Sequence, residues 1–355
     1  MKFNSLGKTN IKISTIGLGT MTFGEQNSET ESFNIMNFAF ENGVNFFDTA
    51  EMYPIYPRSE TYGMSEKIIG KWIKDKKIRE KIIIGTKISS KNKFGIGASK
   101  LKWIRDGGEK LIFDKKNIYK AVDDSLMRLR TDYIDIYQLH WPERNVGMFG
   151  QLDYKHSQSE TWTPFEEILE NLKSLIKIGK IRYIGVSNET PWGIMKFINL
   201  AEKKNLPRIV TNQHCYNLIN RIYNTSNSEV SIKEKCGLLA YSPLAGGILS
   251  GKYINNATPK NSRYSLWPKK NSKLTSARTE TAVMKYIKVA KKYNIKPSVL
   301  AHAFVINQPF LTSSIVGSTS SIYLNEAIES LKLKFNNELL NEIEEIHLSD
   351  PNPSI

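Results

Sequence analysis

Through most of its length the chain repeats one unit: a short apolar run ending in small or polar residues, then a stretch with helical period. The apolar runs are residues 15–20, 45–50, 81–87, 134–140, 181–188, 209–213, 237–242 and 314–318. Helical period follows near 28–42, 65–74, 115–129, 164–178 and 279–293, from 191 onward, and finally over 337–346. Pro164 suits a first-turn position. Alternating strands and helices imply a parallel sheet, and parallel strands, buried on both faces, read as such unbroken apolar runs. Eight units in one chain predict an α/β fold, a (β/α)8 TIM barrel, with residues 1–355 as a single barrel domain. Residues 2–16 read as an N-terminal β-hairpin turning at Gly7-Lys8-Thr9-Asn10 and able to cover one end of the sheet. A doubly wound sheet is the alternative. It would need a dinucleotide fingerprint in the first glycine loop, but after Gly17 and Gly19 the third glycine position holds Thr22.

The longest largely apolar stretch, residues 237–249, is too short to cross a bilayer and contains Pro243. Residues 1–13 are polar and alternating, without the apolar core of a signal peptide. Cys215 and Cys236 give no disulfide framework and suit a reducing compartment. A soluble cytoplasmic protein is expected. The formal net charge of +15 would by itself raise nucleic-acid binding. The lysines are dispersed, however, as at Lys74/Lys76/Lys77, Lys115/Lys116, Lys269/Lys270 and Lys291/Lys292, with no stacking aromatics between them. They read as solvated faces, and at most their excess attracts an anionic ligand. No nucleic-acid, membrane or metal partner is expected, and the oligomeric state is left open.

Chemistry-bearing residues gather at the ends of the runs. Asp48 follows Phe46 and Phe47 in the second, Tyr53 lies on the loop just beyond, Lys87 closes the third and His140 the fourth. Singly, each has an ordinary structural explanation: a helix cap, a packed ring, a solvated ammonium, a hydrogen-bonded turn. In a parallel barrel the carboxyl ends of the strands share one mouth, so together the four form a candidate site. A phenol with a pKa of about 10 is a poor acid at neutral pH. Lys87, as a nearby cation, is expected to favour the phenolate and lower the Tyr53 pKa, with Asp48 keeping Lys87 charged and oriented. His140 would hydrogen-bond a carbonyl oxygen or share its proton. Such a set protonates an oxyanion and still lacks a hydride.

These residues lie in strings that resemble the aldo-keto reductases, and the likeness covers nearly the whole chain. The strings are G-V-N-F-F-D-T-A-E-M-Y at 43–53, I-D-I-Y-Q-L-H-W at 134–141, G-K-I-R-Y-I-G-V-S-N at 179–188 and Y-S-P-L-A-G-G at 241–247. M-Y-P with P-R-S-E-T (52–61) and H-W-P-E-R (140–144) look most like the family's bacterial Tas-like branch. The resemblance implies a catalytic tetrad of Asp48, Tyr53, Lys87 and His140, with NADPH extended across the barrel mouth. It implies Gly19, Thr20 and Met21 on the nicotinamide side, Ser187, Asn188 and Gln213 at the carboxamide, and Tyr241 stacked on the ring. Ser242, Leu244, Gly246 and Lys252 would follow the pyrophosphate. Gly317, Ser318 and Thr319, with Ser320, would open a helix at the adenosine phosphate end, where free N–H groups suit an anion. Arg263 would meet the 2′-phosphate or adenine, favouring NADP over NAD. Glu326 fits either as a cofactor contact or as a helix-surface acid. Tyr323 and Ala327 stand where the branch carries glutamine and asparagine, which bears on the adenine contacts.

The resemblance implies an NADPH-dependent oxidoreductase that reduces aldehydes or ketones to alcohols, with Tyr53 as general acid. A second class, resembling the potassium-channel β subunits, would bind NADPH as a regulatory or redox-sensing subunit, with little turnover and a protein partner. A third, a lyase with Lys87 as a Schiff-base amine, sits poorly with Asp48 and Tyr53 beside that lysine. Residues 88–114 and 141–161 are insertions expected to form long loops overhanging the mouth. They offer Trp103, Trp141, Met148, Phe149 and Tyr154, with Trp141, next to His140, the expected contact for a small-molecule carbonyl substrate. An aromatic lining prefers apolar or aromatic carbonyls.

Overall fold

Each apolar run becomes a largely buried strand, one face inside a barrel and the other toward the outer helices. The computed structural model describes residues 1–91, 101, 103–105, 111–148, 151, 153–266 and 276–354. It opens with an antiparallel pair, β1 (Phe3–Ser5) and β2 (Lys12–Ser14). The barrel strands are β3 (Ile16–Gly19), β4 (Phe46–Asp48), β5 (Ile83–Ile88), β6 (Ile134–Leu139), β7 (Ile181–Ser187), β8 (Ile209–Cys215), β9 (Gly237–Tyr241) and β10 (Leu311–Gly317). They pair in chain order, all parallel, and β10 closes the ring on β3. The helices are α1 (Glu29–Glu41), α2 (Met64–Lys76), α3 (Lys115–Leu129), α4 (Phe165–Lys177), α5 (Pro191–Lys204), α6 (Ile222–Ser226) and α7 (Ser228–Glu234). Then come α8 (Arg263–Leu266), α9 (Ala277–Lys292), α10 (Pro297–Ile306), α11 (Ser321–Glu329) and α12 (Asn337–Ser349). Among the described residues no helix is long and apolar enough to cross a membrane.

The hairpin decides which end of the barrel does chemistry. Leu6 and Ile13 pack on Phe46, Ile83, Ile136, Val210, Leu239 and Ile315, which fill the barrel from its amino-terminal end. That end is closed, and the carboxyl ends of the strands are left as the open mouth. Local signals fix the outer layer. Ser28 and Glu31 form a reciprocal capping box at the start of α1, and Asp114 caps α3 by accepting the Asn117 N–H at 2.8 Å.

Three expectations need correction. Pro164 stands at the N-cap of α4, with φ −54° and ψ 136°, and not inside the first turn. The entry to that helix is fixed instead by Glu143, whose carboxylate accepts the Thr163 N–H at 2.8 Å and the Thr163 hydroxyl at 3.1 Å. The last barrel strand begins at Leu311, earlier than the apolar run at 314–318, because its polar residues are satisfied internally. Ser313, for example, donates its hydroxyl to the Ser14 carbonyl at 2.8 Å. Finally, α6, α7, α8 and α10 lie where no helix is read from the sequence.

Candidate active site

Asp48 and Lys87 end adjacent strands and meet at the mouth, both essentially out of water, at 2% and 0% exposure. Lys87 Nζ donates to Asp48 Oδ2 at 2.6 Å and to the Thr49 carbonyl at 2.6 Å. The other carboxylate oxygen is held by two amides: Gln213 Nε2 donates to Asp48 Oδ1 at 2.8 Å and Gln138 Nε2 at 3.3 Å. Gln213 Nε2 also donates to Gln138 Oε1 at 3.2 Å. Asp48 is thus a buried anion with its donors supplied, the condition under which a buried charge is tolerated. Burial alone would push the Lys87 ammonium down, but Asp48 and Tyr53 carry it above the ordinary lysine value. A lysine so held is a fixed cation and not a free amine nucleophile.

Tyr53 stands over that cation, with Lys87 Nζ 4.9 Å from its ring centre. Here the structure reverses an expectation. Burial raises the Tyr53 phenol above its ordinary 10.0, and the lowering by Lys87, helped by Arg263, does not overcome it. The expected net lowering of the Tyr53 pKa does not occur, because a desolvated phenolate costs more than one lysine, already neutralised by Asp48, gives back. The His140 ring meets Tyr53 edge-on, with centres 5.7 Å apart. Burial first, and Lys87 second, drive its pKa well below 6.5, so the imidazole is neutral at neutral pH. Strand ends therefore bring all four tetrad candidates together: a neutral phenol, a neutral imidazole and a fixed ammonium–carboxylate pair.

Most of the residues named for a cofactor lie at or near the carboxyl ends of β3, β7, β8, β9 and β10. Gly19 ends β3. The Thr20 hydroxyl is turned inward and donates to the Asp48 carbonyl at 2.9 Å, so its side chain braces β4. Met21 lies beneath Arg263, whose Nη2 is 3.7 Å from Met21 Sδ. Asn188 links both sides: Nδ2 donates to the His140 carbonyl at 3.0 Å and to Ser187 Oγ at 3.1 Å, while Oδ1 accepts the Tyr241 hydroxyl at 2.8 Å.

Beyond β9 the chain turns through left-handed positions at Ser242, Ala245, Gly246 and Gly247. The Leu244 carbonyl accepts the Gly247 N–H at 2.9 Å within this turn. A Cβ on Gly247 would stand 2.9 Å from Lys252 Cε, and one on Gly246 would stand 3.2 Å from Arg263 Nη1. Lys252 also lies 5.3 Å from the Tyr323 ring. Neither Lys252 nor Arg263 forms an ion pair with a carboxylate among the described residues. Gly317 is exposed, Ser318 Oγ donates to the Ser320 carbonyl at 2.6 Å, and Thr319 accepts the Asn27 amide at 3.2 Å. Ser320 begins α11 without a side-chain cap bond.

Other candidates sit elsewhere. Glu326 accepts the Ser298 hydroxyl at 2.7 Å and lies 3.5 Å from Lys296 Nζ, tied to α10. Ala327 is buried in the outer core, whereas Tyr323 is exposed. Trp141 is 4.6 Å from the His140 ring, but its indole N–H donates to the Lys91 carbonyl at 3.3 Å and its body is buried. It packs with Ala50, Met52, Leu101, Ile104 and Met148, with Tyr53 and Trp103 against the same cluster. Tyr154 is exposed beside His156, and Phe149 lies outside the described residues. Sequence reasoning did not pick out Gln138 or Glu51. Gln138 sits two residues before His140, on the same inward face of β6, and that alternation was the available signal.

The sequence model described as the Aldo/keto reductase family matches residues 15–348. The chain belongs to the aldo/keto reductase family. It is 42% identical over 347 residues to "Protein tas" of Escherichia coli, covering 98% of each chain. It is 32% identical to "Uncharacterized oxidoreductase YrpG" of Bacillus subtilis, over 98% of this chain and 96% of that one. A third relative, named "Aldo-keto reductase", from Babesia bovis, is 37% identical over 75% of this chain and 96% of its own. Family membership makes the chain an oxidoreductase on an aldo/keto reductase (β/α)8 barrel, and the family generally uses a nicotinamide cofactor, NAD(P)H.

Proposed function

We propose that this aldo/keto reductase is an NADPH-dependent reductase of aldehydes or ketones, with Tyr53 as general acid. The observation that carries the reading is the half-buried tyrosine whose ring centre stands 4.9 Å from an ammonium that is itself fixed by Asp48. At neutral pH Tyr53 keeps its proton, which is the form a donor must have. Lys87 lowers the cost of the phenolate that appears once the proton is given. His140, being neutral, offers an N–H to the same carbonyl oxygen without placing a second cation beside Lys87.

The residues present fit a phosphorylated dinucleotide. Lys252 and Arg263 face the glycine turn at 246–247, and α11 starts at Ser320, which makes no side-chain cap bond among the described residues. These would hold the pyrophosphate and 2′-phosphate, Arg263 being suited to a phosphate by its planar fork. Gln213, Asn188 and Tyr241 would hold and stack the nicotinamide end. A reduced nicotinamide supplies a hydride when bound there. The protein's own part is to orient the carbonyl, exclude water and pass the Tyr53 proton to the developing alkoxide.

The test is NADPH oxidation with a panel of aromatic, aliphatic and sugar aldehydes, for wild type and Tyr53→Phe, with NADPH binding read by fluorescence. Wild type is expected to turn over, and Tyr53→Phe to bind NADPH while losing about 10²-fold or more in kcat, the usual worth of a positioned acid. A Tyr53→Phe variant with wild-type turnover would remove Tyr53 from the role.

A further inference from the structure

We propose that Arg105 is a positioning residue for Tyr53: reaching out of the β5–α3 insertion, it pairs with Glu51 and fixes the loop that carries the phenol. Glu51 lies midway between Asp48 and Tyr53 and is completely buried. Its Oε1 accepts from Arg105 Nη1 and from the Ser89 N–H at 2.6 Å, while Arg105 Nη2 donates to the Ser89 carbonyl at 3.0 Å. The guanidinium therefore binds the Tyr53 loop and the end of β5 at once. The Glu51 N–H, donating to the Lys87 carbonyl at 3.1 Å, ties the same loop to the lysine of the tetrad.

Apolar neighbours grip the loop on either side of that pair. Leu101 and Ile104, both fully buried, pack in one cluster with Ala50 and Met52, the residues flanking Glu51. Trp103 adds a second hold, its ring 5.2 Å from Tyr62. The Tyr62 ring in turn lies 5.1 Å from the guanidinium of Arg128, which pairs with Glu66 at 2.6 Å. Apolar contacts bring surfaces together without fixing a direction; the forked hydrogen bonds of an arginine do fix one. Arg105 itself adopts φ 56°, a left-handed backbone that a long side chain takes only where its surroundings impose it. The buried guanidinium of the insertion thus sets where Tyr53 stands.

The inference rests on the reductase reading, and the test separates the two. Turnover and NADPH affinity would be measured for Arg105→Met, Arg105→Lys and the double variant Glu51→Leu/Arg105→Met. A displaced proton donor costs about tenfold to a hundredfold in kcat, and Arg105→Met is expected to lose that much while its NADPH Kd stays near wild type. Arg105→Lys, which can still pair with Glu51, recovers most of the loss. The double variant buries no unpaired charge, so it folds well but stays slow. Wild-type kcat in Arg105→Met, or in the double variant, would overturn the proposal. Should wild type reduce no carbonyl, the reductase reading falls on that result alone. Hydrogen exchange over residues 48–56 then decides the role of Arg105. Faster exchange there in Arg105→Met, with residues 242–252 unchanged, supports the clasp, and unchanged exchange at 48–56 refutes it.

Discussion

At Tyr53, burial and a neighbouring cation pull the same proton in opposite directions, and burial prevails. The consequence is a pH profile. With a phenol pKa above 10.0, the donor form is fully populated through neutral pH. The kcat/KM for carbonyl reduction should be level there and fall only in strong alkali, while alcohol oxidation, which needs the phenolate, should climb with pH. A reduction profile falling between pH 7 and 9 would contradict this. Lys87→Met tests the cation directly. It leaves Asp48 buried with the amides of Gln138 and Gln213 as its remaining side-chain donors among the described residues, and breaking a buried pair in this way costs about 3–5 kcal/mol. The double variant Asp48→Leu/Lys87→Met should recover most of that stability in urea unfolding and none of the reduction rate. Recovery of both would show that the pair serves only the fold.

Among the elements, helix α2 shows how little room the outer layer leaves. Gly70 faces α3, and a Cβ there would lie 2.3 Å from the Arg128 carbonyl oxygen and 2.6 Å from the Leu129 carbonyl carbon. Alanine is the better helix former by about 1 kcal/mol, yet these neighbours are backbone and cannot rotate away. Gly70→Ala should therefore lower stability, by about 1–3 kcal/mol for an overpacked site, and lower Tm; a raised Tm would show that α2 can slide. Periodicity made α2 and α3 legible because each has one buried face and one wet one. It failed at α10, where Leu300 through Val305 are all buried and no polar face marks the period. It failed in part at β10, whose buried serines look like a loop. At the mouth, strand ends announced Asp48, Lys87 and His140. Glu51 and Arg105 were silent, because a pair joined across the β5–α3 insertion leaves no spacing to read.

For the molecule as a whole, α10 sits between β10, the turn at 245–250 and helices α9 and α11, so what it buries bears on global stability. Its His302 is 1% exposed, and neither ring nitrogen has a hydrogen-bond partner among the described residues. Burial lowers its pKa from 6.5 to about 3. Below pH 6.5 the unfolded chain takes a proton that the folded chain refuses, so stability rises with pH across this window and is lost as pH falls. Each pH unit between the two values is worth about 1.4 kcal/mol, and the drop from pH 7 to pH 5 therefore costs about 2 kcal/mol through this side chain alone. His302→Leu leaves every other titratable group in place and removes only the histidine's share. Urea midpoints for wild type and His302→Leu at pH 7 and pH 5 isolate it, provided the slopes match. The variant's loss on acidification should be smaller by about 2 kcal/mol, and at pH 7 it should be no less stable, since two unpaired nitrogens leave the core. Equal losses in the two proteins would mean that His302 accepts its proton in place, and that α10 opens to water before the barrel does.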